Sequence, residues 1–338
     1  MRKCIWPLAA IILGWTSLAF AAPPSLGWPV DCRLGEDCWI VHHVDTDPGP
    51  QAQDFRCGAL TYDGHKGTDI AVRDRVAMFR PVPVIAAAAG VVKGVRDNVP
   101  DHLGDAASVK AAIDKGKECG NGVALDHGYG WVTQYCHLKS GSIAVGKGQR
   151  VAAGSLLGHV GQSGATEFPH LHMSVRQGKR VVDPFTGSQM GAGCSAARDT
   201  PLWAENVQAM LPQRDAPMLF AVGFRSSAAL YDAILQDMRS PAVLPVAGSG
   251  LVFWGMAYGL RAGDVLEFRV LDPAGGMFVE QRFQQKKNRI WRMQFVGRTN
   301  KNGILRTGRY TGRVRVIRQQ PNGSPLVVER RAAVELVE

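Results

Sequence analysis

Two histidines near the middle of the chain stand two residues apart in a segment that reads as a β-strand. They are His170 and His172, within FPHLHM at residues 168–173. Residues i and i+2 of a strand point to the same face, so both imidazoles are directed to one place. Imidazole nitrogen is a common zinc ligand, and a zinc ion with an open coordination position activates water. The pair therefore predicts a metal site able to do chemistry.

A second segment supplies further ligand types. His65 and Asp69 are four residues apart in YDGHKGTDIA, a glycine-containing turn that enters a predicted strand. Three protein ligands and one water are the arrangement of a catalytic zinc site, and zinc accepts imidazole and carboxylate together. We predict one Zn²⁺ ion bound by His65, Asp69 and His172. His170, and His137 at the end of the predicted strand TQYC, are then available to move protons or stabilise an oxyanion.

The remaining histidines are interpreted as structural or solvent-exposed. A single histidine outside a ligand pattern is more often a satisfied core or surface residue than a ligand. This group comprises His42, His43, His102, His127 and His159.

Short β-runs separated by glycine turns fill the segment 58–198 and predict an antiparallel sheet. A short helical insertion interrupts it at residues 97–118, where residues 105–113 have helical propensity after an acidic start. Residues 22–57 contain Pro, Trp and Cys without clear periodicity and predict an irregular N-terminal arm. The predicted strands of the sheet are residues 83–87, 90–95, 122–126, 131–135 and 170–175.

The C-terminal third has a different pattern. Residues 199–214 predict a linker with little periodicity, and residues 215–338 contain strand candidates at sandwich-like spacing. We predict an immunoglobulin-like β-sandwich there, which makes the whole chain all-β. The strand candidates are residues 218–222, 251–255, 265–270, 289–293 and 312–317.

The first residues predict export. Residues 1–21 are a predicted signal peptide, because Arg2 and Lys3 precede an apolar run over residues 5–20 that ends in AFA at residues 19–21. An uncleaved membrane anchor is the alternative, but the run is short for a membrane span.

Six cysteines remain after the leader, an even number in an exported chain, and this predicts disulfides. The competing interpretation, a cysteine zinc site, requires CxxC-type spacing, and the sequence has none. One bridge would close a short loop, a second would flank a hairpin, and two cysteines are left for a third. The predicted pairs are Cys32 with Cys38, Cys119 with Cys136, and Cys57 with Cys194.

Positive charge is concentrated in the C-terminal third. Residues 22–200 carry 18 Lys and Arg against 18 Asp and Glu, whereas residues 201–338 carry 19 against 11. In an exported protein this favours binding to anionic cell-envelope polymers over nucleic acid, which is not normally present there. The alternative is that the charge serves solubility alone.

Five blocks of the sequence resemble, in order, the lysostaphin-type or LytM-like zinc endopeptidases that cut the peptides of peptidoglycan. The resemblance implies a LytM-like peptidase fold in which His65, Asp69 and His172 bind zinc and His137 and His170 are catalytic. The insertion is longer than the usual connection, and the C-terminal sandwich lies outside the resemblance. The blocks are HKGTDI at residues 65–70, PVIAAAAGVV at 83–92, GVALDHG at 122–128 with TQYCHL at 133–138, VGKGQRV at 145–151 with GHVGQSG at 158–164, and PHLH at 169–172.

The resemblance also implies an activity and a place in the cell. We expect an exported zinc metallo-endopeptidase, periplasmic or associated with the cell envelope, that hydrolyses cross-links or stem peptides of peptidoglycan. Members that have lost ligands act as non-catalytic regulators of other wall hydrolases, and this is the alternative function. A binding module with a structural zinc is a third interpretation, but structural zinc sites have four protein ligands.

Overall fold

A computed structural model describes residues 22–194, 200–211, 216–226, 231–321 and 323–338. The predicted signal peptide lies outside the described residues. Strands dominate the described part of the chain, and nearly all strand pairs are antiparallel. The all-β prediction is therefore confirmed.

The N-terminal part is built on one large sheet. Its strands follow the order β1-β2-β9-β6-β5-β4-β7 with β10 beside β9, and β3 pairs separately with β8. The strands are β1 (Cys38–His42), β2 (Thr68–Val72), β3 (Pro83–Ile85), β4 (Gly90–Arg96), β5 (Asn121–Gly128), β6 (Trp131–Leu138), β7 (Arg150–Val151), β8 (Leu156–His159), β9 (His170–Gln177) and β10 (Arg180–Val182).

Alternation along β9 separates the core from the candidate site. Leu171, Met173 and Val175 are buried in the hydrophobic core of this part of the chain. Side chains alternate between the two faces of a strand, so His170 and His172 point away from that core. The same pleat that packs the sheet therefore presents both imidazoles on its other face.

The prediction of an irregular N-terminal arm is wrong for part of residues 22–57. Residues 38–42 form β1, which pairs antiparallel with β2 as the first strand of the sheet, with a register irregularity between Ile40 and His42. Every residue of β1 is buried. A strand covered on both faces shows no polar alternation, which explains why its sequence gave no periodic signal.

The predicted helix of the insertion is confirmed. Helix α1 (Ala106–Asp114) lies between β4 and β5, and Asp105 caps it by accepting a hydrogen bond from the Ser108 backbone N–H at 2.9 Å. None of its residues is buried. A short 3₁₀ helix at Arg75–Phe79 follows β2.

The three predicted disulfides are all present. Cys32 is bonded to Cys38, Cys57 to Cys194 and Cys119 to Cys136. The bridge from Cys57 to Cys194 joins residues 137 apart in sequence and so fastens the two ends of the segment that carries the sheet.

The C-terminal part contains two sheets. One has three strands in the order β11-β13-β16, and the other has five in the order β12-β18-β17-β14-β15, in which β12 and β18 are parallel. Its elements, preceded by helix α2 (Glu205–Met210), are β11 (Met218–Arg225), helix α3 (Tyr231–Gln236), β12 (Val243–Pro245), β13 (Gly250–Leu260), β14 (Val265–Leu271), β15 (Met277–Gln284), β16 (Arg289–Thr299), a 3₁₀ turn (Lys301–Gly303), β17 (Gly308–Arg318) and β18 (Leu326–Val337).

These two sheets pack face to face as a β-sandwich. Their shared core joins Phe253 of β13 and Val296 of β16 to Phe268 of β14 and Val314 of β17. Strands β12, β15 and β18 were not predicted, and α2 lies within the predicted linker. The immunoglobulin-like topology and the boundaries 58–198, 199–214 and 215–338 stay predictions.

The three-stranded sheet is covered on its second face by the N-terminal part. Trp39 of β1 and Ala71 of β2 share a buried cluster with Phe220 of β11 and with Trp254 and Met256 of β13. The Trp39 and Phe220 rings lie 4.3 Å apart between centroids. The sandwich is thus held to the large sheet by an apolar interface.

Helices of the described residues are short. None of them combines the length and the hydropathy that crossing a membrane requires.

This interface gives a test of stability. Trp254 is fully buried, and its cross-strand partner Phe295 is 41% exposed. We expect Trp254→Ala to lower the free energy of unfolding by about 3–5 kcal/mol because it leaves a large cavity. Phe295→Ala is the control and should cost less than about 1 kcal/mol. Denaturant unfolding measures both, and equal losses would contradict the packing described here.

Candidate metal centre

The structure brings His65, Asp69 and His172 together. His65 Nε2 lies 3.2 Å from Asp69 Oδ1 and 3.2 Å from His172 Nδ1, and His172 Nδ1 lies 2.8 Å from Asp69 Oδ1. Asp69 comes from β2 and His172 from β9, and the two residues are direct cross-strand partners. Three donor atoms from distant parts of the sequence therefore form one compact triangle.

This triangle fits a zinc ion. With bonds of about 2.0–2.1 Å, neighbouring donors around a tetrahedral zinc stand about 3.3 Å apart, close to the separations observed. Two imidazole nitrogens and one carboxylate oxygen are also a donor set that zinc accepts. The His65 and Asp69 side chains are at most 3% exposed, whereas the His172 side chain is 18% exposed. Solvent therefore reaches the triangle past His172.

The backbone orients the His65 ring. Its Nδ1 lies 2.6 Å from the carbonyl oxygen of His43, which can only accept a hydrogen bond, so Nδ1 carries the proton. The lone pair of Nε2 is then directed at Asp69 and His172. Such a second hydrogen bond fixes the tautomer and orientation of a metal-binding imidazole.

Gly67 is required by the approach of the His172 ring. A Cβ atom at Gly67 would lie 2.6 Å from His172 Nε2 and 2.7 Å from the carbonyl oxygen of Met173. Any side chain at this position would displace the ring from the donor triangle. The glycine between His65 and Asp69 is therefore a steric requirement of the site.

His42 contacts a residue of the triangle, and it is buried rather than solvent-exposed. The irregular pairing of β1 with β2 places His42 beside Asp69, with Nδ1 2.7 Å from Asp69 Oδ2. The other carboxylate oxygen, Oδ1, faces His65 and His172. His42 therefore holds the carboxylate so that only Oδ1 points into the triangle.

The Asp69 carboxyl carries the negative charge of the site. Burial would raise the pKa of this carboxyl, but attraction to His65 and hydrogen bonds from His172 and His42 hold it well below its usual value. For His65, burial works against the charged ring, and attraction to Asp69 outweighs it and raises the pKa of the imidazole. Asp69 is therefore ionised, as a metal ligand must be.

His137 lies beside the triangle in a strained backbone conformation. Its ring centroid is 4.6 Å from that of His170 and 5.9 Å from that of His172. Its φ of 62° falls in the left-handed region, which is costly for a residue with a β-carbon. The strain is held by a hydrogen bond from its N–H to the carbonyl oxygen of Cys119 at 2.8 Å, next to the Cys119–Cys136 disulfide.

The rings of His137 and His170 are each oriented by a hydrogen bond to a backbone carbonyl oxygen. His137 Nδ1 lies 2.8 Å from the carbonyl oxygen of Ser163, and His170 Nδ1 lies 2.9 Å from that of Phe168. Both Nδ1 atoms are donors, so each neutral ring presents an unprotonated Nε2. His170 Nε2 is 3.5 Å from Asp69 Oδ1 and thus faces the triangle.

Both rings are neutral when metal-free. Burial lowers the pKa of His137 well below its usual value. Burial also lowers the pKa of His170 to about 4, against the opposing attraction of Asp69. Neutral imidazoles are able to accept a proton.

The insertion supports the loop beside these two histidines. Asp101 Oδ1 accepts a hydrogen bond from the Gln162 N–H at 2.7 Å, and His102 Nε2 lies 2.7 Å from the carbonyl oxygen of Gly164. The same loop supplies the Ser163 carbonyl that orients His137. Residues 97–104 therefore brace the backbone that positions a site residue.

The other histidines lie outside the donor triangle. The His43 ring packs against Phe55 and Phe185, although its backbone carbonyl orients His65. His127 contacts Ala89 O and Thr133 Oγ1 at 2.7 and 2.8 Å.

The sequence did not indicate that Tyr62 contacts the site. Its ring lies 4.5 Å from that of His65 and 5.4 Å from that of His42. Burial and the charges of Asp69 and Glu167 raise the pKa of its hydroxyl, so it stays protonated. The adjacent HxxxD motif is the signal that could have directed attention to it.

Comparison with protein families identifies the segment that carries the site. Residues 63–184 match the model described as Peptidase family M23. This range includes His65, Asp69, His137, His170 and His172. The match confirms the resemblance drawn from the sequence motifs.

Similar proteins cover only parts of the chain. The cell division protein DipM of Caulobacter vibrioides is 41% identical over 64 residues, which are 19% of this chain and 10% of that protein. A zinc-containing peptidase from Vibrio cholerae is 26% identical, with 48% of this chain and 39% of that chain covered and a TM-score of 0.32. The catalytic domain of lysostaphin from Staphylococcus simulans is 19% identical, with 42% and 86% covered and a TM-score of 0.28.

The contact between His42 and Asp69 gives a test of the site. We expect His42→Ala to weaken zinc binding by about 10–100-fold, because partners that orient a metal ligand contribute this much. Titration of the metal-free protein against a chromophoric zinc chelator measures the change. His159→Ala is the matched control. Equal zinc affinities of the His42 variant and the wild type would show that His42 does not support zinc binding.

Proposed function

We propose, from the match of residues 63–184 to peptidase family M23, that the protein is an exported zinc-dependent endopeptidase that cleaves cross-links or stem peptides of peptidoglycan. Members of the family are zinc-dependent and act on peptidoglycan. We extend both properties to this chain because its own side chains form a matching site.

One observation carries the proposal. The donor atoms of His65, Asp69 and His172 converge within 3.2 Å of one another, and two further neutral imidazoles, His137 and His170, border the same space. A structural zinc site uses four protein ligands, whereas this triangle leaves a position open. The open position favours a catalytic zinc ion over a structural one.

The proposed roles follow from the tautomers. A zinc ion, when bound, supplies Lewis acidity and lowers the pKa of water. His137 and His170 each hold a proton on Nδ1 through a backbone carbonyl, so either Nε2 is able to accept a proton from the attacking water. A ring protonated in this way becomes a donor at both nitrogens. It then stabilises charge on the carbonyl oxygen and delivers a proton to the leaving nitrogen.

Wall remodelling outside the cytoplasm is supported by two further features. All six cysteines of the described residues are paired, and disulfides persist in oxidising compartments. A segment of the chain is also similar to a cell division protein. We propose a periplasmic or envelope-associated location on this basis.

Substitution of the two non-ligand histidines separates catalysis from metal binding. We expect His137→Ala and His170→Ala each to reduce hydrolysis of purified peptidoglycan by about 10²–10⁴-fold, the usual contribution of acid–base catalysis. Zinc content should stay at one ion per chain. New termini identified by mass spectrometry measure hydrolysis, and metal analysis measures zinc.

His127→Ala serves as the control, because its ring contacts lie away from the donor triangle. Loss of zinc from both variants would show that ligands and catalysts have been assigned wrongly. If the wild-type protein with bound zinc produced no new termini, a non-catalytic regulator of another wall hydrolase would be the correct function.

A further inference from the structure

A long part of the C-terminal sandwich lacks acidic residues. Residues 281–328 contain twelve Lys and Arg and no Asp or Glu. Four of these bases pair with carboxylates from β14 and the turn before it. Arg282, Arg313 and Arg315 contact Glu267, and Arg318 contacts Asp264. The other eight have no carboxylate within ion-pair distance among the described residues.

Six of these eight bases follow β16 from one end to the other. All are exposed except one, Arg292, which is half-buried. We call this set the basic strip. It consists of Lys286 and Lys287 in the turn before β16, Arg289, Arg292 and Arg298 on the strand, and Lys301 after it.

Two of the three arginines of the strip lie over aromatic rings. The Arg292 guanidinium lies 5.8 Å from the centre of the Phe283 ring, and the Arg298 guanidinium lies 5.3 Å from that of Phe278. Stacking on a ring limits side-chain freedom and leaves the guanidinium edges available as donors. These cations are therefore pre-ordered for an anion.

The neighbouring face of the sandwich is different. Arg269 and Arg331 also lie on exposed strands, but each contacts a glutamate at 2.7 Å, from Glu280 and Glu329 respectively. These two charges are paired. Six of the eight unpaired bases belong to the β16 edge.

Strand β16 also reaches a cavity next to the candidate metal centre. Trp291 of β16 lines this cavity of about 60 Å³ together with Tyr258, Phe168 and Pro169. The Phe168 ring is in turn 4.7 Å from the ring of His170. The strand that carries the strip therefore contacts the N-terminal part close to the metal centre.

We propose that the basic strip binds carboxylate groups of stem peptides on a peptidoglycan strand, while a neighbouring peptide of the same polymer occupies the metal centre. The choice of peptidoglycan rests on the proposed function. Exposed ion pairs are individually weak, but a polymer with repeated carboxylates engages several cations at once, and the contacts reinforce one another. The strip thus retains the insoluble substrate during successive cleavages.

Charge reversal within the full chain tests this inference. Deletion of the sandwich is unsuitable because it would expose the apolar surface around Trp39. The test variant is Lys286→Glu with Lys287→Glu, and the control is Lys179→Glu with Arg180→Glu, an exposed pair at the β9–β10 turn with the same change in net charge. Both are made with His137→Ala, so that binding is measured without digestion.

The measurement is binding to peptidoglycan sacculi stripped of other polymers. We expect the test variant to bind about tenfold more weakly and the control less than about twofold, because exposed pairs contribute modestly and only the strip meets the polymer. Amidation of the sacculus carboxyls should lower binding of the parent to the level of the test variant. With His137 intact, the test variant should hydrolyse a small soluble wall peptide at the parental rate.

Equal binding of the test variant and its parent, or equal loss in the test and control variants, would overturn the inference. Tighter binding of the parent to a soluble polyphosphate than to the stripped sacculi would assign the strip to a phosphate-bearing polymer and would also overturn the inference. Failure of the proposed function is distinguishable, because wild-type protein would then cleave no wall peptide whatever its binding.

Discussion

The buried carboxylate of Asp69 is the constraint on which the rest of the structure depends. A charged carboxylate removed from water is strongly unfavourable unless it is paired and hydrogen-bonded. Here His42 occupies one oxygen, and His65, His170 and His172 surround the other. The arrangement requires β1 on one side of β2 and β9 on the other, in the observed registers. The composition of the site therefore depends on the strand order and registers around β2.

A second set of contacts positions His137 beside the triangle. Its left-handed backbone conformation is held by the hydrogen bond to Cys119, and its ring is oriented by the carbonyl of Ser163. The disulfide from Cys119 to Cys136 stiffens this corner. The insertion braces the same loop through Asp101. Sites that transfer protons depend on such fixed geometry, because small displacements are costly for catalysis. The insertion thus supports the part of the site in which side-chain orientation matters most.

Much of the site was predictable because its signals are local. The two-residue period of a strand places His170 and His172 on one face, and the spacing of His65 and Asp69 lies within one turn. His42 was missed because its role depends on β1, which is buried throughout and shows no alternation. Strand β18 was missed for a different reason. Its half-buried positions include Arg330, which donates to the carbonyl of Gly35, a residue 295 positions earlier in the chain.

The central claim is that His65, Asp69 and His172 together form a zinc site that His137 and His170 border without binding the ion. Crystals grown with zinc, with anomalous diffraction measured at the zinc absorption edge, test it directly. We expect one anomalous peak about 2.0–2.2 Å from His65 Nε2, Asp69 Oδ1 and His172 Nδ1. A zinc ion bonded to His137 or His170, or one that lacks Asp69 as a ligand, would contradict it.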